Sequence, residues 1–85
     1  MIEIKYVITD EVGIHARPAG RLVRQAKAFD SEARIGTPEK MVDAKQVMGV
    51  MGLGLKHGDT LTMTFQGKDE KEASEALMQF LEENM

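Results

Sequence analysis

The residue types able to do chemistry gather in one short stretch, Gly13-Ile14-His15-Ala16-Arg17-Pro18-Ala19. A neutral imidazole is a nucleophile, and its protonated form is not. His15 stands immediately before an expected helix. Pro18 favours a helix start because the first turn has no use for the missing N–H, and Ala19, Leu22, Val23 and Ala26 recur behind it at helical spacing, with Phe29 extending the apolar side. At such a start the N–H groups of Ala16 and Arg17 have no partner inside the helix and point toward the histidine. The positive end of a helix favours an anion by about 0.3–1 kcal/mol at an exposed site. Arg17 adds a planar donor fork suited to phosphate oxygens, and Gly13 lets the preceding loop turn sharply. The constellation is a nucleophile set in an anion-binding site.

The charge pattern around it agrees. The chain of 85 residues carries a formal net charge of −3, which argues against a general nucleic-acid binder. Yet no acidic side chain occurs from Val12 to Phe29, where Arg17, Arg21, Arg24 and Lys27 all lie. Acidic residues collect elsewhere, notably at Asp69, Glu70, Glu72, Glu75, Glu82 and Glu83. One positive face on an acidic molecule suits an acidic ligand or an acidic protein partner.

A second segment points to the same kind of encounter. Val47, Met48 and Met51 share one side of a short helix, and Val50 and Leu53 share the other. Gly49, Gly52 and Gly54 make this a poor helix by itself, at about 1 kcal/mol per glycine relative to alanine. It must therefore dock through Val50 and Leu53, leaving Val47, Met48 and Met51 partly exposed. Flexible surface methionines suit repeated engagement of different partners.

The elements that must position these residues can be read in order. Ile2, Ile4, Tyr6 and Ile8 alternate with Glu3, Lys5 and Thr9 in a half-buried strand over Ile2–Thr9, followed by a loop over Asp10–Gly13. Strands are expected around Glu32–Ile35 and Lys40–Asp43, joined through Gly36-Thr37-Pro38-Glu39. Leu61, Met63 and Phe65 alternate with Thr60, Thr62, Thr64 and Gln66 in a fourth strand. Ala73, Ala76, Leu77, Phe80 and Leu81 form the stripe of a last helix. Asp43-Ala-Lys-Gln46 and Asp69-Glu-Lys-Glu72 both match the capping-box spacing. The order β-α-β-β-α-β-α predicts one domain over residues 1–85, of the α+β class, with a mainly antiparallel sheet and helices on a single face.

On these motifs the chain resembles the HPr family of the phosphoenolpyruvate-dependent sugar phosphotransferase system. The resemblance rests on Gly13-Ile-His15-Ala-Arg17-Pro-Ala, on Val47-Met-Gly-Val-Met51-Gly-Leu-Gly54 and on Gly67-Lys-Asp69-Glu, and runs from the first strand to the last helix. It implies an open-faced β-sandwich with three helices over a four-stranded antiparallel sheet. It implies further that Enzyme I, charged from phosphoenolpyruvate, phosphorylates His15 at Nδ1, and that the group passes to the EIIA domain of a sugar permease. Arg17 matches the residue that accompanies the phosphate, with backbone support from Ala16 and Arg17. Gly20, Arg24, Lys27, Val47, Met48 and Met51 match positions on the shared docking face. Such a protein is a carrier and not an independent catalyst, needs no cofactor, and is expected to be a monomer.

Three positions depart from the family pattern. Gln46 stands where many relatives carry a serine that a dedicated kinase phosphorylates, so that switch is expected to be absent. Gly20 replaces a larger helical side chain, and Val12 a small polar one. Two other readings remain: a non-transferring regulatory module that binds proteins through Val47, Met48 and Met51, and a carrier in a nitrogen-related phosphotransfer chain. HPr-like relatives in the regulatory role can lack the histidine and keep the serine, the opposite of this chain.

Remaining features are structural. The absence of cysteine rules out disulfides, thiolate metal sites and a cysteine nucleophile. His57 reads as a solvated turn residue, and His15 and His57 have no metal-ligand spacing. Basic residues without interleaved aromatics make no nucleic-acid platform. No charged-then-apolar leader and no apolar run of membrane-spanning length occurs, so a cytoplasmic location without membrane insertion is expected.

Overall fold

The computed structural model describes residues 1–85. In chain order the elements are β1 (Ile2–Val7), α1 (Ala16–Lys27), β2 (Glu32–Thr37), β3 (Lys40–Asp43), α2 (Val47–Met51), β4 (Thr60–Gln66) and α3 (Glu70–Asn84). The strands form one antiparallel sheet in the order β1-β4-β2-β3. Register follows the alternation in the sequence: Ile4 pairs with Met63, and Ile35 with Met63 on its other side. One face therefore gathers Ile8, Leu61, Met63, Phe65, Ala33 and Ile35, all buried, and the three helices cover it. On the other face Lys5, Thr62, Gly36 and Met41 stand in one row. The architecture is the open-faced sandwich expected from the sequence.

The helices bury the stripes that the spacing marked. α1 contributes Pro18, Ala19, Leu22, Val23 and Ala26 to the interior, and α3 contributes Ala73, Leu77, Phe80 and Leu81. Burying each large aliphatic or aromatic side chain stabilises the fold by about 1.5–3 kcal/mol relative to leaving it in water. In α2, Val50 is fully buried and Leu53 is partly buried against the core, while Val47, Met48 and Met51 face outward. The glycine-weakened helix is thus held by one apolar anchor.

Two local expectations are corrected. The hairpin between β2 and β3 is tighter than the four-residue turn read from sequence, because β2 continues through Gly36 and Thr37. Gly36 permits this with φ +153, and a Cβ there would fall 2.0 Å from the Lys40 carbonyl oxygen. Neither capping box closes. Gln46 is itself the N-cap of α2 and makes no side-chain cap bond. Asp43 folds instead into a local turn, its Oδ1 accepting the Lys45 N–H at 2.9 Å. Asp69 does sit at the N-cap of α3, but its carboxylate turns away from its own helix. It accepts the N–H of Asp30 and of Ser31, both at 2.9 Å, and the Ser31 hydroxyl. Glu70, rather than Glu72, reaches back to the loop, accepting the Gly67 N–H at 3.1 Å.

Candidate functional site

His15 is the N-cap of α1, with extended backbone angles (φ −139, ψ −176) and a half-exposed side chain. Its carbonyl oxygen accepts the first helical bond, from the Ala19 N–H at 3.0 Å. Pro18 takes the third helical position, where an N–H would have no helical partner. The Ala16 and Arg17 N–H groups have no hydrogen-bond partner in the chain, which leaves two donors at the positive end of α1. No acidic residue occupies that first turn.

The loop before His15 is pinned by contacts far away in sequence. Gly13 adopts φ +81, and a Cβ there would meet the Leu55 carbonyl oxygen at 2.5 Å. The neighbouring Ile14 N–H donates to that same oxygen at 3.0 Å. The Met85 carbonyl oxygen accepts the N–H groups of Thr9 and Asp10, both at 2.7 Å, and Asp10 Oδ1 accepts the Val12 N–H at 2.8 Å. The segment after α2 and the end of α3 thus hold His15 in place.

His15 and Arg17 share one shallow depression with Asp10, Pro18, Arg21 and Asn84. Arg17, Arg21, Arg24 and Lys27 are exposed, and none joins either of the two ion pairs, Met1–Glu70 and Lys5–Glu3. The positive face expected from sequence is therefore present and its side chains form no ion pair. α2 lies against α1, which sets Val47 and Met51, each 37 % exposed, and Met48, 77 % exposed, beside it. Gly20 is half-buried, and a Cβ on it would meet nothing within 4 Å. Gln46 is exposed. His57 lies in an exposed turn, away from the depression.

Sequence reasoning passed over Asp10, Asn84 and Lys45. The Lys45 ammonium, half-buried, donates to the Phe29 carbonyl oxygen at 2.8 Å and ties the end of α1 to the start of α2. A lysine directly ahead of an apolar helix was the only available signal.

Two hydrogen-bonded carboxylates, Asp69 and Glu70, stand at the other end of α3. Asn84 lies in the His15 depression, and the 15 residues of α3 carry its start about 22 Å away. There the Ser31 hydroxyl, followed by the Asp30 N–H, holds the Asp69 carboxyl below its ordinary pKa of 3.8. The Gly67 N–H and then the Met1 amino group lower Glu70 from its ordinary 4.5. Hydrogen bonds and positive charge favour the ionised form in both cases.

A family model described as the PTS HPr component phosphorylation site matches residues 2–83. The phosphocarrier protein HPr of Lysinibacillus sphaericus is 44 % identical over 79 residues, covering 93 % of this chain and 90 % of that protein. The HPr-like protein Crh of Halalkalibacterium halodurans is 42 % identical over 82 residues, covering 96 % and 98 %. Among solved structures, HPr of Thermoanaerobacter tengcongensis superposes with a TM-score of 0.90 at 38 % identity, covering 96 % of this chain and 92 % of that one.

Proposed function

The chain belongs to the HPr family, a family of phosphocarriers rather than independent catalysts, and from that premise we propose that it carries a phosphoryl group on His15 from Enzyme I to EIIA domains of sugar permeases. A ring nitrogen lone pair of His15 attacks the donor's phosphorus. The new P–N bond forms as the bond from phosphorus to Enzyme I breaks, and the acceptor's nucleophile later reverses the exchange. Throughout, the phosphoryl oxygens rest on the Ala16 and Arg17 N–H groups and the Arg17 guanidinium. Fixed donors of this kind stabilise developing negative charge without reorganising.

The observation that carries the reading is the pair of unpartnered N–H donors beside a half-exposed histidine at the start of α1. Gly20, Arg24, Lys27, Val47, Met48 and Met51 supply the docking face, with an apolar centre for short-lived contact and a basic rim that speeds encounter with acidic partners. The protein works as a cytoplasmic monomer without a cofactor. Gln46 has no hydroxyl, so no serine-type regulatory phosphorylation occurs there.

The test is intact mass spectrometry at neutral pH after incubation with Enzyme I and phosphoenolpyruvate. One acid-labile phosphoryl group is expected, absent from His15→Ala; labelling that survives the substitution would overturn the assignment. The similarity to an HPr-like Crh protein favours one second reading, a regulatory module that binds through Val47, Met48 and Met51 without transfer. Stable complexes insensitive to phosphorylation of His15 would mark that role.

A further inference from the structure

A groove of about 620 Å³ runs between α1 and α3 and meets the docking face described above only at Arg24. Its α1 wall carries Arg21, Arg24 and Gln25, and Gln79 and Glu83 line the α3 wall, with Phe80 between the helices. Arg21 and Asn84 border both this groove and the His15 depression, so the two form one continuous trough. At 100° per residue, Arg17, Arg21 and Arg24 fall within one narrow stripe of α1. Gly20 and Lys27 lie on one flank of that stripe, and Gln25 lies on the other, toward α3. The basic helix therefore serves two surfaces.

We propose that the trough seats an extended acidic segment of the phosphotransfer partner, which leaves the His15 depression and runs along α1 against α3. The proposal rests on the carrier reading above and adds α3 to the surface that partners touch. Charge complementarity supports it: Arg17, Arg21 and Arg24 form no ion pair, and these three guanidiniums outnumber the two acidic residues of the trough, Asp10 in the depression and Glu83 in the groove. The shape selects a chain over a small molecule. Small-ligand pockets enclose most of their ligand, whereas Arg21, Arg24, Gln25, Gln79 and Glu83 are all exposed and leave the trough open along its length. A peptide covers such walls and keeps its carboxylates over the guanidiniums, where bidentate pairing is available.

The experiment is titration of the 15N-labelled full chain with Enzyme I, alongside phosphotransfer kinetics of Gln79→Glu, Arg21→Gln and the charge-matched control Gln66→Glu. Amides of Ala76, Gln79 and Phe80 should broaden together with those of α1 and α2. Gln79→Glu should lower kcat/KM about fivefold and Arg21→Gln about tenfold, more steeply at low salt, because rim charges act chiefly on association. Gln66→Glu should transfer as the parent does, and unchanged Tm values would separate these losses from unfolding. Silence of the α3 amides while α1 and α2 respond would overturn the trough and leave the carrier reading intact. Failure of His15 to be labelled would remove both. Equal broadening by phosphoenolpyruvate alone would replace the peptide with a small anion.

Discussion

The starts of α1 and α3 are two helix N-termini put to opposite uses. Each ends a loop at the positive end of a helix dipole, but the Glu70 N–H of α3 donates to the Gly67 carbonyl oxygen at 3.3 Å while the Ala16 and Arg17 N–H groups of α1 stay open. At α3 the chain supplies its own anions: Asp69 at the N-cap, with Glu70 and Glu72 in the first turn. Those carboxylates also bind outward, to Asp30, Ser31 and Gly67. The junction of α1 with β2 is thereby fastened to the junction of β4 with α3. At α1 the chain supplies no anion in the first turn, makes no side-chain cap and places Arg17 beside the open donors. A helix start left without its own negative charge keeps its donors open. The difference teaches that one end of α3 is built to hold the fold, while the other borders the depression that contains His15.

Substitutions can break this contrast from either side. The largest effect is expected from Ala16→Pro. Proline is well suited to the first helical position, and the extended His15 already has the backbone that a following proline requires. The fold should survive while one donor disappears. Loss of a single preorganised donor costs about 10²–10³ in rate, so stopped-flow transfer from Enzyme I should slow about 100-fold with the Tm nearly unchanged. A rate close to the parent's would show that the Ala16 N–H carries no charge in the reaction.

Asp69→Asn attacks the other helix start. It puts an amide donor opposite N–H groups that need an acceptor, one of them on the buried Ser31. The melting temperature should fall by several degrees while transfer at His15 keeps its rate. The pH dependence has a definite sign. A carboxyl whose native pKa is lowered adds stability in full above its ordinary value, and that stability is lost as pH falls through the native one. The parent should lose stability to acid below the ordinary values of 3.8 for Asp69 and 4.5 for Glu70. Urea midpoints measured down the acid limb should fall less steeply for Asp69→Asn.

The smallest effect is expected from Gly20→Ala. The added methyl meets no neighbour within 4 Å, so relief of the glycine penalty should raise stability by about 0.5–1 kcal/mol, read from chemical denaturation. Any accompanying change in partner choice would locate Gly20 on the docking face.

What could be read in the sequence was the local physics. Alternation set β4 to the residue and overran β1 by two, since the strand read over Ile2–Thr9 ends at Val7, and the stripe from Ala73 to Leu81 gave α3 its buried face, because period and burial are properties of neighbouring residues. His15, Ala16 and Arg17 were legible as a helix start with open donors for the same reason. The outward side of α2 was legible too, because Val50 and Leu53 claim the side that docks. The capping boxes failed because a carboxylate bonds to whichever donors are near in space. For Asp69 those donors lie 38 and 39 residues away. Asn84 beside His15, Leu55 against Gly13 and Lys45 on Phe29 were hidden likewise, since each depends on how separate elements meet. The family pattern supplied partners and roles that no local spacing encodes.

The most direct test of the central claim compares the two helix starts in one spectrum. Amide chemical shifts of the 15N-labelled protein should be recorded before and after phosphorylation by Enzyme I. The account predicts large downfield shifts of the Ala16 and Arg17 amide protons, as they donate to the new phosphoryl oxygens, with Glu70 and Lys71 unmoved. Phosphorylated protein whose Ala16 and Arg17 amides stay at their original positions would contradict it.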